Sequence, residues 1–196
     1  GEAGGTASVG RRGGGRSGCA ARCGRFDGRG GWLPSGGAGT RGYGVRGAIG
    51  GQVAHPGALA VWVSGDASGL MNIQELSTAG QHRAAVKLVL CNNGYMGMVR
   101  QWQELNHGNR LSHSWNAALP DFVALAKAFG WGARRVDDPA ELTAALDERL
   151  TYPGPVCLDV RVAAQENCFP MIPAGAGHDR IMLARDVWYE EEGAQG

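Results

Sequence analysis

The chain has 196 residues, of which 43% are hydrophobic, and a formal net charge of +1. This length and composition suffice for one soluble globular domain with a buried core. The near-neutral charge argues against a general binder of polyanions, and no apolar run approaches the roughly 20 residues that span a bilayer. The five cysteines are an odd number without the spacing of a disulfide framework, and Cys19 and Cys23 have no second pair to complete a zinc site, so we interpret them as free thiols.

The first 31 residues contain six arginines among twelve glycines. They show almost no apolar periodicity, and so much glycine makes ordering costly in backbone entropy. We therefore predict a disordered arm over residues 1–31. The arm also leaves open a different class of function, an RNA-binding module, although Phe26 is the one aromatic residue in it.

Predicted elements begin after Trp32. A glycine-dense loop at 35–44 leads into a helical pattern that carries Val45, Ile49 and Val53 on one side and stops at His55-Pro56. Further along the chain, apolar runs predict strands and amphipathic runs predict helices. The predicted strands are 58–64, 86–91, 133–137 and 155–162, and the predicted helices are 70–83, 98–105, 120–130 and 139–150.

Strands that alternate with helices predict an α/β fold with a doubly wound parallel sheet, because parallel neighbours need crossover connections. We expect a single domain over 32–187, followed by a tail at 188–196. In such sheets the functional site lies at the carboxyl ends of the strands.

Oxygen-bearing side chains follow two of these strands. Asp66 comes after the first and Asn93 after the next. If the strands are neighbours, a carboxylate and a carboxamide converge, and with a main-chain carbonyl they suit Mg²⁺. Backbone N–H groups after Gly65 would then face a phosphate. Each motif alone is also explained by a helix cap or a plain turn, but together, on either side of a helix, they favour a site for a magnesium-bound diphosphate.

Several motifs resemble one family. The sequence GDAS followed by NN looks like the thiamine diphosphate motif, and MNIQELSTA, NNGYMGMVRQWQEL, SHSWNAALPDFVALAKAFG and ENCFPMIPAGAGH are similar to the C-terminal cofactor domain of the acetolactate synthase large subunit. The resemblance runs from about Trp32 to Leu183. It implies a thiamine diphosphate-binding fold.

The resemblance also implies roles for individual residues. Asp66 and Asn93 would bind Mg²⁺ through their side chains, and Tyr95 through its main-chain carbonyl. Trp102 would lie at the mouth of the substrate channel. The residues implied to contact thiamine diphosphate are Gly39, Thr40, Arg41, Asp66, Ala67, Ser68, Asn93, Gly94, Tyr95, Met96, Gly97 and Met98. Without the resemblance, Met96 and Met98 would be read as core fillers, and His107 and His113 as surface residues.

The implied reaction condenses pyruvate with a second 2-keto acid, pyruvate or 2-oxobutyrate, with loss of CO₂, in the biosynthesis of valine and isoleucine. Pyruvate oxidase and 2-keto acid decarboxylase are related alternatives. No catalytic residue is expected in this chain, since the family's catalytic glutamate lies in an N-terminal domain, and FAD binds a middle domain. We therefore expect a fragment that is inactive alone.

The resemblance further implies a homo-oligomer in the full-length form, with a regulatory subunit as a further partner and neither membrane nor nucleic acid. We expect a bacterial cytoplasmic location, with a plastid as the alternative. Two departures stand out. Arg41 replaces the bulky apolar residue that the family places under the bend of the cofactor, and residues 8–15 keep only a trace of a stretch that contacts the diphosphate.

Overall fold

A parallel sheet of five strands forms the centre of the computed structural model, which describes residues 6–9, 31–35, 40–173 and 175–189. The strands are β1 (Thr6–Val9), β2 (Leu59–Gly65), β3 (Lys87–Asn92), β4 (Gly132–Val136) and β5 (Val156–Arg161). Their order across the sheet is β1-β2-β3-β5-β4. Because every neighbouring pair is parallel, the carboxyl ends of all five strands lie at one edge.

Helices connect the strands. They are α1 (Tyr43–Ala54), α2 (Asp66–Leu70), α3 (Glu75–Gln81), α4 (Gly97–Asn106), α5 (Phe122–Ala128) and α6 (Leu142–Leu150), and a 3₁₀ turn at Pro139–Glu141 precedes α6. The starts of α5 and of the 3₁₀ turn are each capped by an aspartate. Asp121 accepts hydrogen bonds from the backbone N–H groups of Val123 and Ala124, and Asp138 accepts one from Ala140.

Apolar side chains pack on both faces of the sheet. The larger cluster joins Trp62, Leu88 and Leu90 to residues of α1, α3 and α5, and the smaller joins Leu158 and Val160 to α6. Each fully buried side chain of this size contributes about 1.5–3 kcal/mol. Since helices cover both faces, the predicted α/β fold with a doubly wound parallel sheet is confirmed.

Some predicted boundaries were wrong. The helix predicted over 70–83 is two helices, α2 and α3, with a turn between them. On α1, Val45 and Ile49 are buried as expected, but Val53 is 60% exposed in the last turn.

Short strands lie near the two predicted domain boundaries, which stay predictions. Strand β1 lies within the arm expected to be disordered, whereas the rest of residues 1–30 lies outside the described part of the chain. A hairpin of β6 (Met182–Ala184) and β7 (Val187–Trp188) crosses the predicted boundary between 187 and 188.

No helix in the described ranges has both the length and the apolar character that crossing a bilayer would require.

Candidate functional site

The predicted pair of strand ends comes together at the carboxyl edge of the sheet. Strands β2 and β3 are hydrogen-bonded neighbours, and Gly65 is in register with Cys91. Asp66 follows β2 directly as the first residue of α2, and Asn93 follows β3. Both side chains are buried, and Asp66 is 0% exposed.

The Asp66 carboxylate joins the two strand ends. Its Oδ2 accepts hydrogen bonds from the backbone N–H groups of Asn93 (3.0 Å) and Gly94 (2.7 Å). Its Oδ1 accepts from the backbone N–H of Ala67 and from Nδ2 of Asn116 (3.2 Å). All four partners are electrically neutral, so hydrogen bonds satisfy the carboxylate, but no charged group among the described residues forms an ion pair with it.

An uncompensated buried carboxylate is costly unless a cation joins it. None of the ion pairs formed by the described residues involves Asp66. The described residues also contain no group of three or more His, Cys, Asp or Glu side chains that could hold a metal. A cation here would instead use one carboxylate, a carboxamide and a main-chain carbonyl, which are hard oxygen donors that fit Mg²⁺.

Asn93 is held at both ends of its carboxamide. Its Nδ2 donates to the carbonyl of Ala164 (3.2 Å), and its Oδ1 accepts from the backbone N–H of Tyr95 (3.2 Å). Gly94, which lies between Asn93 and Tyr95 in the chain, has a φ of 73°, a left-handed conformation that favours glycine. The Asn-Asn-Gly sequence thus forms a sharp turn that keeps the main chain of Asn93 and Gly94 against Asp66.

Residues 114–116 fix the turn from outside. The backbone N–H of Met96 donates to Ser114 (2.8 Å), and that of Asn116 donates to Gly94 (2.8 Å), around an antiparallel bridge between Tyr95 and Trp115. Sequence reasoning missed Asn116, whose side chain contacts Asp66. Nothing in its local sequence distinguishes it from other polar loop residues, and only the pairing with the 94–96 turn brings it to the site.

A second polar network anchors the end of β3. Asn92 donates through Nδ2 to Asp159 (2.9 Å), and Arg135 donates through Nε to the other oxygen of Asp159 (3.0 Å). The hydrogen bond between Arg135 and Asp159, together with the negative charge of Asp159, raises the pKa of Arg135 above its ordinary value. The buried Asp159 therefore has a cationic partner, whereas within the described part of the chain Asp66 has none.

Several residues implied to contact thiamine diphosphate lie at the start of α1 and in α2, as far as the structure describes them. The Ser68 Oγ accepts a hydrogen bond from the backbone N–H of Gly42 (3.4 Å), which brings the start of α1 close to α2. Arg41 precedes Gly42 and is half-buried, Thr40 is exposed and Ala67 is half-buried. Gly39 lies outside the described residues, as do Cys19 and Cys23.

The remaining predicted residues lie at the start of α4. Met96, Gly97 and Met98 are half-buried, and Trp102 is 39% exposed one turn further on. His107 and His113 are exposed, which agrees with surface roles. A side chain at Trp102 is therefore accessible on the helix that follows the Asn93 turn.

These features place polar side chains at the carboxyl edge of a parallel sheet, where α/β proteins commonly bind their ligands, and comparison with known proteins identifies the family. The family model described as "Thiamine pyrophosphate enzyme, C-terminal TPP binding domain" matches residues 13–160. The chain belongs to this family.

Sequence relatives within this family show which enzymes the chain resembles. Over 152 residues the chain is 45% identical to the acetolactate synthase large subunit of Porphyra purpurea, an alignment that covers 77% of this chain and 26% of the relative. It is 43% identical over 157 residues to the acetolactate synthase isozyme 3 large subunit of Escherichia coli, covering 79% of this chain and 27% of that one. The chain thus spans about a quarter of the length of these relatives.

A solved structure supports the fold. A thiamine diphosphate-dependent 4-hydroxybenzoylformate decarboxylase of Rhodococcus jostii superimposes with a TM-score of 0.74 over 83% of this chain and 30% of that chain, at 23% sequence identity. At this identity the likeness concerns the fold alone.

Proposed function

We propose that this chain is the cofactor-binding part of an acetolactate synthase, which condenses pyruvate with a second 2-keto acid, pyruvate or 2-oxobutyrate, and releases CO₂. The observation that supports this most strongly is the fully buried Asp66 carboxylate at the junction of two strand ends, whose hydrogen-bond partners among the described residues are all neutral. The similarity to acetolactate synthase large subunits supports the choice of reaction.

In this proposal the chain's own residues bind and orient. Asp66 and Asn93 hold Mg²⁺ through side-chain oxygens, and Asp66 gives up the 3.2 Å hydrogen bond from Asn116 to do so. Tyr95 holds the ion through its main-chain carbonyl. Ala67 and Ser68, next to Asp66, contact the diphosphate. When bound, thiamine diphosphate supplies the carbanion chemistry that cleaves and joins carbon–carbon bonds next to a carbonyl.

The start of α1 and the start of α4 form the sides of the same cleft in this proposal. Thr40 and Arg41 contact the cofactor, with Arg41 at its bend, and Gly39 would hold the exocyclic amine of its aminopyrimidine. The residues on the other side are Gly94, Met96, Gly97 and Met98. Trp102 contacts the acceptor keto acid, since its indole is 39% exposed and provides a large apolar surface.

The active unit also needs parts outside this chain. We propose that a second copy of the full-length protein supplies the glutamate that acts on the cofactor ring, and that FAD binds outside the described segment. This would make the isolated chain competent to bind cofactor but not to turn over substrate.

Calorimetry of thiamine diphosphate binding to the 196-residue chain tests the cofactor assignment. We expect binding with Mg²⁺ and at least tenfold weaker binding without it. Asp66→Ala should abolish the effect of Mg²⁺, whereas Asp147→Ala, which removes an exposed carboxylate on α6, should retain it. Asn93→Ala provides a second site variant if Asp66→Ala does not fold. Binding that is indifferent to Mg²⁺ and to Asp66 would contradict the proposal.

Product analysis on the full-length enzyme tests the reaction. With pyruvate as sole substrate, acetolactate is the expected product. Free acetaldehyde without acetolactate would instead favour a decarboxylase.

A further inference from the structure

A short segment after β5 reaches back to the Asn93 side chain. We call residues 164–168 the strap. The chain leaves β5 with the backbone N–H of Val162 bonded to the carbonyl of Asn92 (3.1 Å), and two residues later the Ala164 carbonyl accepts from Nδ2 of Asn93 (3.2 Å). The strap therefore contacts a proposed metal ligand directly through its main chain.

Gln101 on α4 clamps the far end of the strap. Its Oε1 accepts from the backbone N–H of Cys168 (2.7 Å), and its Nε2 donates to the Cys168 carbonyl (3.4 Å) and to the Met171 sulfur (2.9 Å). Gln101 is 1% exposed. Burying a carboxamide costs free energy unless its oxygen and N–H₂ group are hydrogen-bonded, so Gln101 is held in the one orientation that satisfies both.

Arg100, the preceding residue, holds the middle of the strap. Its Nη2 donates to the Gln165 carbonyl (3.0 Å) and to Oδ1 of Asn167, and the side chain is 3% exposed. Glu104, one turn along α4, pairs with Arg100 and accepts from Nδ2 of Asn167 (3.1 Å). Burial raises the pKa of Glu104, but the hydrogen bonds from Arg100 and Asn167 and the arginine charge outweigh it, so the pKa is lower than usual.

The orientation of the Asn93 carboxamide depends on the strap. One end of a carboxamide only donates and the other only accepts. With the Ala164 carbonyl at one end, Nδ2 must lie there, and Oδ1 then faces the backbone N–H of Tyr95. The reversed orientation would set two acceptors together at Ala164 and two donors together at Tyr95. Since an amide oxygen has two lone pairs, Oδ1 keeps one for a cation.

We propose that Arg100 and Gln101 are positioning residues for the metal site: through the strap they fix the Asn93 carboxamide with Oδ1 available as a ligand. The inference rests on the proposed function only in taking Oδ1 as a metal ligand. The orientation of the carboxamide can be measured without any metal.

The first test follows the Asn93 side-chain N–H₂ protons by NMR in the metal-free, ¹⁵N-labelled chain, with the signal assigned by its loss in Asn93→Asp. Gln101→Leu removes the clamp at similar volume. Gln103→Leu is the matched control, since Gln103 lies on the same helix and makes a similar pair of bonds to Ser112 (2.7 and 3.3 Å). We expect these protons to exchange with solvent at least tenfold faster in Gln101→Leu and at the wild-type rate in Gln103→Leu.

The second test measures Mg²⁺ affinity by titration in the presence of thiamine diphosphate. Loss of an outer group that orients a metal ligand typically weakens metal binding 10–100-fold. Gln101→Leu should therefore bind Mg²⁺ at least tenfold more weakly than wild type, and Gln103→Leu less than twofold more weakly. Gln101→Glu keeps the acceptor for the Cys168 N–H, so its Mg²⁺ affinity should fall between those of wild type and Gln101→Leu. If Gln101→Leu does not fold, Asn167→Ala removes the strap's bonds to Arg100 and Glu104 without substituting a residue of α4, and it should shift both measurements in the same direction.

The outcomes separate the two proposals. Equal exchange of the Asn93 protons in wild type, Gln101→Leu and Gln103→Leu would overturn the positioning role, whatever the metal affinity. If the wild-type chain binds no Mg²⁺ but Gln101→Leu alone accelerates the exchange, the proposed function fails and the positioning of the carboxamide stands.

Discussion

Replacing Asp66 with asparagine tests the hydrogen-bond network at the strand ends. Two backbone N–H groups point to Oδ2, and the Ala67 N–H and the Asn116 amide point to Oδ1. An asparagine has a single acceptor oxygen, which best replaces Oδ2. Its N–H₂ group then faces two donors at the former Oδ1 position.

The expected loss follows from these bonds. Each hydrogen bond to a charged acceptor contributes about 1.5–3 kcal/mol, and two are lost. Removing a buried charge returns part of that, because burial of an uncompensated carboxylate is costly. We expect a net destabilisation of about 2–4 kcal/mol in Asp66→Asn without metal, which corresponds to a fall in Tm of roughly 5–15 °C for a domain of this size.

A swap of the two side chains provides the control. In Asp66→Asn/Asn116→Asp the new amide can donate to the new carboxylate, so the double variant should recover about 1–2 kcal/mol relative to the sum of the single changes. Urea and thermal unfolding in EDTA, followed by circular dichroism, measure all four members of the cycle. A coupling energy near zero, or an Asp66→Asn variant as stable as wild type, would refute the proposed network.

Two further predictions concern stability. On α1, Gly44→Ala should destabilise the fold by about 1–3 kcal/mol, because the added Cβ would lie 2.2 Å from Nε1 of the buried Trp62. Gly50→Ala on the same helix meets no atom within 4 Å and should stabilise the fold by about 0.5–1 kcal/mol. Equal effects of the two substitutions in urea unfolding would be inconsistent with this packing. The lowered pKa of Glu104 means that its stabilising contribution is complete above the unfolded-state value of 4.5 and is lost as the pH falls through the lower folded-state value. Glu104→Gln should therefore reduce the slope of stability against pH in the acid range, and an unchanged slope would contradict the ion pair.

The central strands were predictable because their signals are local. Continuous apolar runs predicted 58–64 and 86–91, and the structure has Leu59–Gly65 and Lys87–Asn92. Strands covered on both faces are apolar at most positions, so the pattern is strong even in one sequence. The polar residues that follow these strands then indicated the edge where the candidate site lies.

The split between α2 and α3 was not predictable in the same way. The apolar spacing continues through residues 71–74. The backbone N–H groups of Ile73 and Glu75, however, donate to the carbonyls of Leu70 and Asn72 (3.3 and 3.1 Å), which lie three residues back instead of the four of an α-helix. Asn72 also lies directly against Gly42, where a Cβ would come within 1.8 Å of its Nδ2. The turn thus coincides with a contact to a residue distant in sequence, and helix periodicity carries no signal of such a contact.

Strand β1 and the strap illustrate the same limit. Thr6–Val9 is only four residues long, and it pairs with the edge of β2 over that whole length. The roles of Ala164 and Cys168 depend on their main-chain groups, which carry no side-chain signal. Such features emerge from tertiary pairing, whereas the sequence indicates side-chain chemistry and periodicity.

The most direct test of the central claim is the position of the metal itself. Crystals of the chain grown with thiamine diphosphate and Mn²⁺ in place of Mg²⁺ give an anomalous signal that locates the ion. We expect one strong peak about 2.0–2.2 Å from an Asp66 carboxylate oxygen, Oδ1 of Asn93 and the Tyr95 carbonyl. Bound cofactor with no peak at this edge of the sheet, or a peak that Asp66 and Asn93 do not share, would contradict the account.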